Sequence, residues 1–282
     1  MSRNIIIELK TEYETLTKVE KRIADFLLHD PKSFINCSVT DISCSLGVSQ
    51  GSINNFSKKF SSGGFASLKL ELAQCISSQE PPPFAAVDRT GSVKSALEVK
   101  IRENTASFRN TLDINSEESL ALAAQLIMEA EKIEVYGVFQ SGVAAKDIYY
   151  QLIRLGMPAT FVDDSFMCTV SASMLNEKSV AIAVSASGKT KEILDSVELA
   201  HQSGAKVICL TGSKSSPLAK ISDCVLITPP SGITISNRAT EMRLSQLFII
   251  DALCSYIRSI IDEDGQKYYY KFQKIITSHS AD

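Results

Sequence analysis

Three hydroxyl side chains, Ser185, Ser187 and Thr190, follow directly on the apolar run Val180 to Val184, with Gly188 among them and an amphipathic stretch starting at Lys191. The succession reads as a buried strand emptying into a small-residue loop that opens a helix. Hydroxyls, a glycine that lets backbone approach closely, and the first free N–H groups of a helix together make a cradle for a phosphate group. A phosphorylated small molecule is the expected guest.

Two better-known phosphate loops fail here on spacing. A Walker loop needs glycine five residues before Gly188, where Ala183 lies inside the strand. The dinucleotide fingerprint would fall on Gly137, Val138, Phe139, Gln140, Ser141 and Gly142, and its middle glycine is missing. Either loop alone reads equally well as an ordinary strand-to-helix turn. Two of them in one sheet favour a site.

The elements that must position these loops follow from hydrophobic periodicity, which predicts strands over 133–138, 159–162, 180–184, 206–210 and 225–227. Between them it predicts helices over 143–155, 167–175 and 191–202, with a short one near Leu218. Such alternation implies an α/β fold, a doubly wound parallel sheet whose ligands sit beyond the carboxyl ends of the strands. Ser141 and the 185–190 loop then face one crevice, and Thr211, Gly212 and Ser213 end the next strand in the same way.

The segments YGVFQSGVAAKD, RLGMPATFVDDSF, AVSASGKTKEI and GAKVICLTGSKSSPLAKISD resemble the sugar isomerase (SIS) domain over roughly residues 133–256. The resemblance implies that Ser185, Ser187, Gly188 and Thr190 hold the phosphate of a phosphosugar, with Ser141 as a contact from the second loop. Regulators of that family usually carry His where this chain has Phe166, so one sugar contact departs from the pattern.

The N-terminal third is of another kind. Thr17 to Glu20 reads as a capping box ahead of Val19, Ile23, Phe26 and Leu27 at helical spacing, with Pro31 past the helix end. In DISCSLGVSQGSINNFSKKF, Gly47 lies between two short helices, and Ile42, Leu46, Val48, Ile53 and Phe56 recur where a helix-turn-helix buries its core. The second helix is then a recognition helix with Gln50, Ser52, Asn54, Asn55, Lys58 and Lys59 as its polar positions. Residues 1–79 hold nine Lys and Arg against eight Asp and Glu, so this is no strongly basic domain, yet three lysines and no acid lie between Asp41 and Glu71. A small helical protein-interaction module with merely solvated lysines is the competing reading.

With LTKVEKRIADFLL and GFASLKLELAQ added, the chain from Leu16 onward resembles the RpiR family of bacterial transcriptional regulators. Family recognition helices commonly have a basic residue where Asn55 stands; Asn can still read adenine bidentately. The resemblance implies operator DNA and a phosphorylated sugar effector as partners, a homodimer or homotetramer, and no cofactor.

The chain has 282 residues, 44% hydrophobic and 22% charged, with a formal net charge of −3, which suits two ordinary cores and neither demands nor excludes nucleic acid. No apolar run reaches transmembrane length and the amino terminus does not read as a signal peptide, so no membrane partner and a cytoplasmic location are expected. Seven scattered cysteines without CxxC spacing read as reduced packing residues, Cys209 and Cys224 on strands, and not as metal ligands. The expected organisation is a helix-turn-helix domain over 1–78, a linker over 79–93 stiffened by Pro81 to Pro83, and the SIS domain with dimerising helices over 94–282.

A phosphosugar isomerase is the alternative, because such folds host enzymes. Aldose–ketose interconversion needs a base near neutral pKa, and none of the histidines, His29, His201 and His279, follows a strand end. Glu241, at the opening of a long helix, is the best remaining base or sugar contact. No catalytic residue is expected.

Overall fold

Thr17 and Glu20 cap each other, the Glu20 amide donating to Thr17 Oγ1 at 3.3 Å and the Thr17 amide to Glu20 Oε2 at 2.8 Å. The helix they start, α2 (Lys18–His29), follows α1 (Ile5–Glu12). The structure, a computed structural model, describes residues 5–77, 92–229, 238–261 and 263–279. It divides into two units, 1–106 with 231–236 and 107–230 with 237–282. In the first, Asp30 accepts the Ser33 amide and Pro31 sits at the first helical position of α3 (Pro31–Asn36), so the proline opens a helix as well as following one. Then come α4 (Val39–Leu46), α5 (Gln50–Phe60) and α6 (Gly64–Ser77). Ile23, Leu27, Phe34, Ile42, Ile53, Phe56, Phe60 and Leu68 are buried in one cluster. Val19, on the expected apolar face, is exposed in the first turn of α2.

The remaining helices are α7 (Val93–Ile114), α8 (Glu117–Glu129), α9 (Phe139–Arg154), α10 (Ser165–Ala172), α11 (Lys191–Gln202), α12 (Pro217–Lys220), α13 (Arg238–Ile260) and α14 (Glu263–His279). They flank a parallel sheet of β1 (Lys132–Tyr136), β2 (Ala159–Val162), β3 (Ser179–Ser185), β4 (Lys206–Thr211) and β5 (Cys224–Ile227), in the order β2-β1-β3-β4-β5. Side chains alternate across it. Ile133, Val135, Ile182, Val184, Ile208 and Leu210 pack under α8, α9 and α13, whereas Tyr136, Ala181, Ala183, Val207 and Cys209 pack under α10 and α11. All of β3 is buried, as a central strand covered on both faces must be. Edge strand β5 meets a side chain: Asn115 donates to the Ile227 carbonyl and accepts from its amide, both at 2.7 Å, as a neighbouring strand would.

These elements are the helical N-terminal region and the doubly wound α/β sheet expected from periodicity. The main difference is α9, which starts at Phe139, not at 143, because Gly137 lets the helix back onto the strand end: a Cβ there would lie 2.6 Å from the Ala145 Cβ and 3.0 Å from the Ser141 carbonyl oxygen. Cys209 and Cys224 are buried strand residues, and burial pushes their thiols up to about 12 and about 11. The expected linker lies almost wholly outside the described residues. Among those described, no helix is long and apolar enough to cross a membrane.

Gly156, in the turn from α9 to β2, has φ +76°, and a Cβ on it would stand 2.7 Å from the Tyr268 Cβ of α14. Gly156→Ala is therefore expected to cost about 1 to 3 kcal/mol in denaturant unfolding. An unchanged midpoint would show that α14 does not rest on this turn.

Candidate functional site

Crossing from β1 to β3, the chain order of the sheet reverses, and the loops leaving those two strands part to opposite faces, which opens a crevice at their carboxyl ends. The sequence segment with the hydroxyls fills it. The Ser185 hydroxyl, buried at the end of β3, lies 3.1 Å from Thr190 Oγ1 and accepts the Gly188 amide at 3.1 Å. Thr190 is the N-cap of α11, and its side chain makes no capping bond, so that hydroxyl remains turned to Ser185. Ser187 accepts the Lys189 amide at 3.2 Å. Ser141, in the first turn of α9, accepts the Ala186 amide at 3.3 Å and so ties the loop after β1 to the loop after β3. The structure brings Ser141, Ser185, Ser187, Gly188 and Thr190 into one locus. Amides, hydroxyls and the opening turn of α11 there offer the donors that a phosphate dianion needs.

Gly188 is held tightest. Its φ is +61°, and a Cβ would run into Ser216 and lie 2.7 Å from Thr211 Oγ1. Its carbonyl accepts the Leu218 amide at 3.1 Å, while the Ala186 carbonyl accepts the Gly212 amide at 3.0 Å. Ser216, fully buried as the N-cap of α12, was not legible as part of the site: SSPLAK carries part of the family resemblance, but locally it reads as a helix start. Phe139 was also missed. It is 94% exposed beside Ser141 with φ +52°, a conformation that costs a bulky residue about 1 to 3 kcal/mol and that no composition signal announces. Phe166 is exposed in the first turn of α10, which Asp164 caps by accepting the Met167 amide at 2.8 Å. Glu241 falls in the first turn of α13, and its side chain lies outside the described residues.

In the N-terminal unit, Ser38 and Asp41 form a second capping box at α4, Gly47 turns the chain at φ +58°, and Ser49 caps α5. Arg22 of α2 donates to the Leu46 carbonyl just before that turn. Ile53, Phe56 and Phe60 face inward, which leaves Gln50, Asn54, Asn55, Lys58 and Lys59 exposed on one helix. Three of the six expected positions have other work: the Ser52 hydroxyl lies 2.8 Å from the capping Ser49 Oγ, and Lys59 pairs with Glu20 at 3.4 Å. The third, Gln50, donates to Thr40 Oγ1 at 3.2 Å, which leaves Asn54, Asn55 and Lys58 as the unengaged stretch among the described hydrogen bonds.

Comparison with known proteins bears on both units. The helix-turn-helix domain of the rpiR family matches residues 3–79, and the SIS domain matches residues 126–256. An uncharacterized HTH-type transcriptional regulator of Clostridium perfringens is 29% identical over 266 residues, covering 93% of this chain and 95% of that protein. The bifunctional protein glk of Paraburkholderia xenovorans is 33% identical over 244 residues, 85% of this chain; the chain spans only 38% of that protein's length. Among solved structures, the NanR protein of Vibrio vulnificus complexed with ManNAc-6P shares the fold over 99% of this chain and 100% of its own, with TM-score 0.62 and 22% identity.

The packing around position 188 makes a stability test of the site's architecture. Gly188→Ala must pay the left-handed backbone penalty and displace Ser216, so it is expected to cost about 2 kcal/mol or more. Ser187→Ala loses one hydrogen bond to an exposed amide and should cost less than about 1 kcal/mol. Equal unfolding midpoints for the two variants would contradict this packing.

Proposed function

This chain belongs to the RpiR family, an rpiR-type helix-turn-helix domain followed by a SIS domain, and we propose that it is a cytoplasmic transcriptional regulator that binds operator DNA through α5 and is controlled by a phosphorylated sugar in the crevice between β1 and β3. The observation that carries the reading is the union in one chain of a hydroxyl-and-amide cradle, Ser141 with Ser185 to Thr190, and a helix whose outward face is Gln50, Asn54, Asn55 and Lys58. Ser185, Ser187, Gly188 and Thr190 take the phosphate, Ser141 braces the loop against it, and Glu241 serves a sugar hydroxyl or amide. The sugar-phosphate complex of NanR and the regulator name of the Clostridium relative support this assignment. A homodimer or homotetramer sets two recognition helices on one duplex. The protein binds its sugar without converting it, and no residue is assigned a catalytic role.

Replacing both Ser185 and Thr190 with Ala removes two hydroxyls whose bonds to a charged group are worth about 1.5 to 3 kcal/mol each, so calorimetry should show at least a tenfold loss of sugar-phosphate affinity in a folded protein. Undiminished affinity moves the site elsewhere. Turnover of the bound sugar by NMR at about one per second or faster would make the protein an isomerase.

The DNA half has its own readout. Lys58→Ala should lower the slope of log affinity against log salt by about one per subunit engaged and weaken all sequences alike, while Lys59→Ala, already paired to Glu20, should change it less. Asn55→Ala should cost about 1 to 3 kcal/mol on the operator and little on random DNA. Sugar phosphate must shift operator affinity by a coupling of about 1 to 3 kcal/mol, and DNA must shift sugar affinity by the same factor. A protein that binds the sugar and ignores every promoter, with or without it, is an interaction module instead.

A further inference from the structure

At the far end of α9 from the cradle, a cleft of about 290 Å³ opens between α9, α13 and α14, with Arg154, Arg258, Asp251 and Tyr269 in its wall. Ser141 stands in the first turn of α9 and Arg154 is its last residue; thirteen residues of helix separate the two by about 20 Å. Two guanidinium groups converge on one ring: the Arg154 and Arg258 carbons lie 5.9 and 5.5 Å from the Tyr269 centroid. Arg258 also donates to the Tyr269 hydroxyl at 3.3 Å, and that bond holds the phenol below its ordinary pKa. Neither arginine is in an ion pair among the described residues. Arg154 gives one long bond, 3.4 Å, to Gln151, and its Nε is buried with no acceptor.

We propose that this cleft is a second ligand site, for a small oxyanion held by Arg154 and Arg258. The Arg154 guanidinium carbon lies 5.9 and 6.0 Å from the Tyr269 and Phe272 ring centroids of α14, and such cation–π contacts satisfy none of its N–H donors. The Asp251 carboxylate in the wall and Asp147 near Arg154 offset part of this charge, but neither takes the in-plane donors of the two guanidiniums as an ion pair, and a guanidinium presents paired donors that match a carboxylate or a phosphate. Asp251 in the same wall is placed to accept a hydroxyl of that ligand. The close approach of Tyr268 to Gly156 seats α14 so that its aromatic residues close the cleft.

The site is independent of the cradle and is tested with the cradle silenced. Full-length Ser185→Ala/Thr190→Ala protein is titrated calorimetrically with sodium phosphate and, separately, with sodium acetate, at constant ionic strength in chloride. One anion per chain is expected, and Arg258→Gln in that background should weaken it at least tenfold; Arg258 is exposed, so this variant folds. Arg258→Lys should recover part of the loss, because it returns charge without the fork. Binding of phosphate alone assigns a phosphate group, and binding of both anions assigns oxyanions generally. Binding should also return the Tyr269 phenol toward its ordinary pKa in an NMR titration. If neither anion binds, or if Arg258→Gln binds as well as its parent, the cleft is only the seat of α14. Phosphate that binds this background, yet is lost from Arg154→Gln/Arg258→Gln protein with its cradle intact, would sink the cradle reading and leave the cleft standing.

Discussion

Position 188 has room for a hydrogen atom and nothing larger. From that restriction the rest of the crevice follows. Because Gly188 has no side chain, residues 186–188 press against the end of β4 and the segment that follows it, where Thr211 and Ser216 abut Gly188, and main-chain bonds then run from Gly212 to Ala186 and from Leu218 to Gly188. On the other side Ser141 reaches across from α9 to the Ala186 amide. Loops from three neighbouring strands are thereby fixed to one short segment, and hydroxyls that would be mobile on a free loop acquire set positions. Preorganisation of this kind spares a ligand the cost of ordering the loop on binding.

The two units use their charges differently. The helix-turn-helix relies on caps and a buried cluster of Ile, Leu and Phe for its form, with reciprocal caps at Thr17 and Ser38 and a serine cap at Ser49. Its positive charge is sparse, and part of that is spent inside the unit, since Lys59 faces Glu20 and Lys69 donates to the Cys37 carbonyl. The outward face of α5 is therefore dominated by amides, a composition suited to carrying sequence information more than electrostatic attraction on the proposed reading.

What could be read in the sequence was whatever repeats locally. Alternating apolar runs announced the parallel sheet, and the hydroxyls around Gly188 announced the cradle because both signals lie within a few residues. The Thr17–Glu20 capping box was legible for the same reason, whereas the Ser38–Asp41 box at α4 emerged only with the structure. Contacts between distant segments were not. Ser216 looks like an ordinary helix start until β4 carries it to Gly188, Lys59 and Glu20 are 39 residues apart, and Arg154 meets Tyr269 only because Gly156 admits α14. The early start of α9 was hidden likewise, since Gly137 signals a close approach without naming the residue that approaches.

Asn115 closes the edge of β5 with an amide that behaves as one residue of an absent strand. Its position in the chain also sets a timetable. It is made 112 residues before Ile227, which at translation rates of about 5 to 20 residues per second is a lead of roughly 6 to 22 seconds. Ile227 thus emerges from the ribosome to find its cover already synthesised, and a growing polypeptide on a crowded polysome need not present that carbonyl and amide to its neighbours.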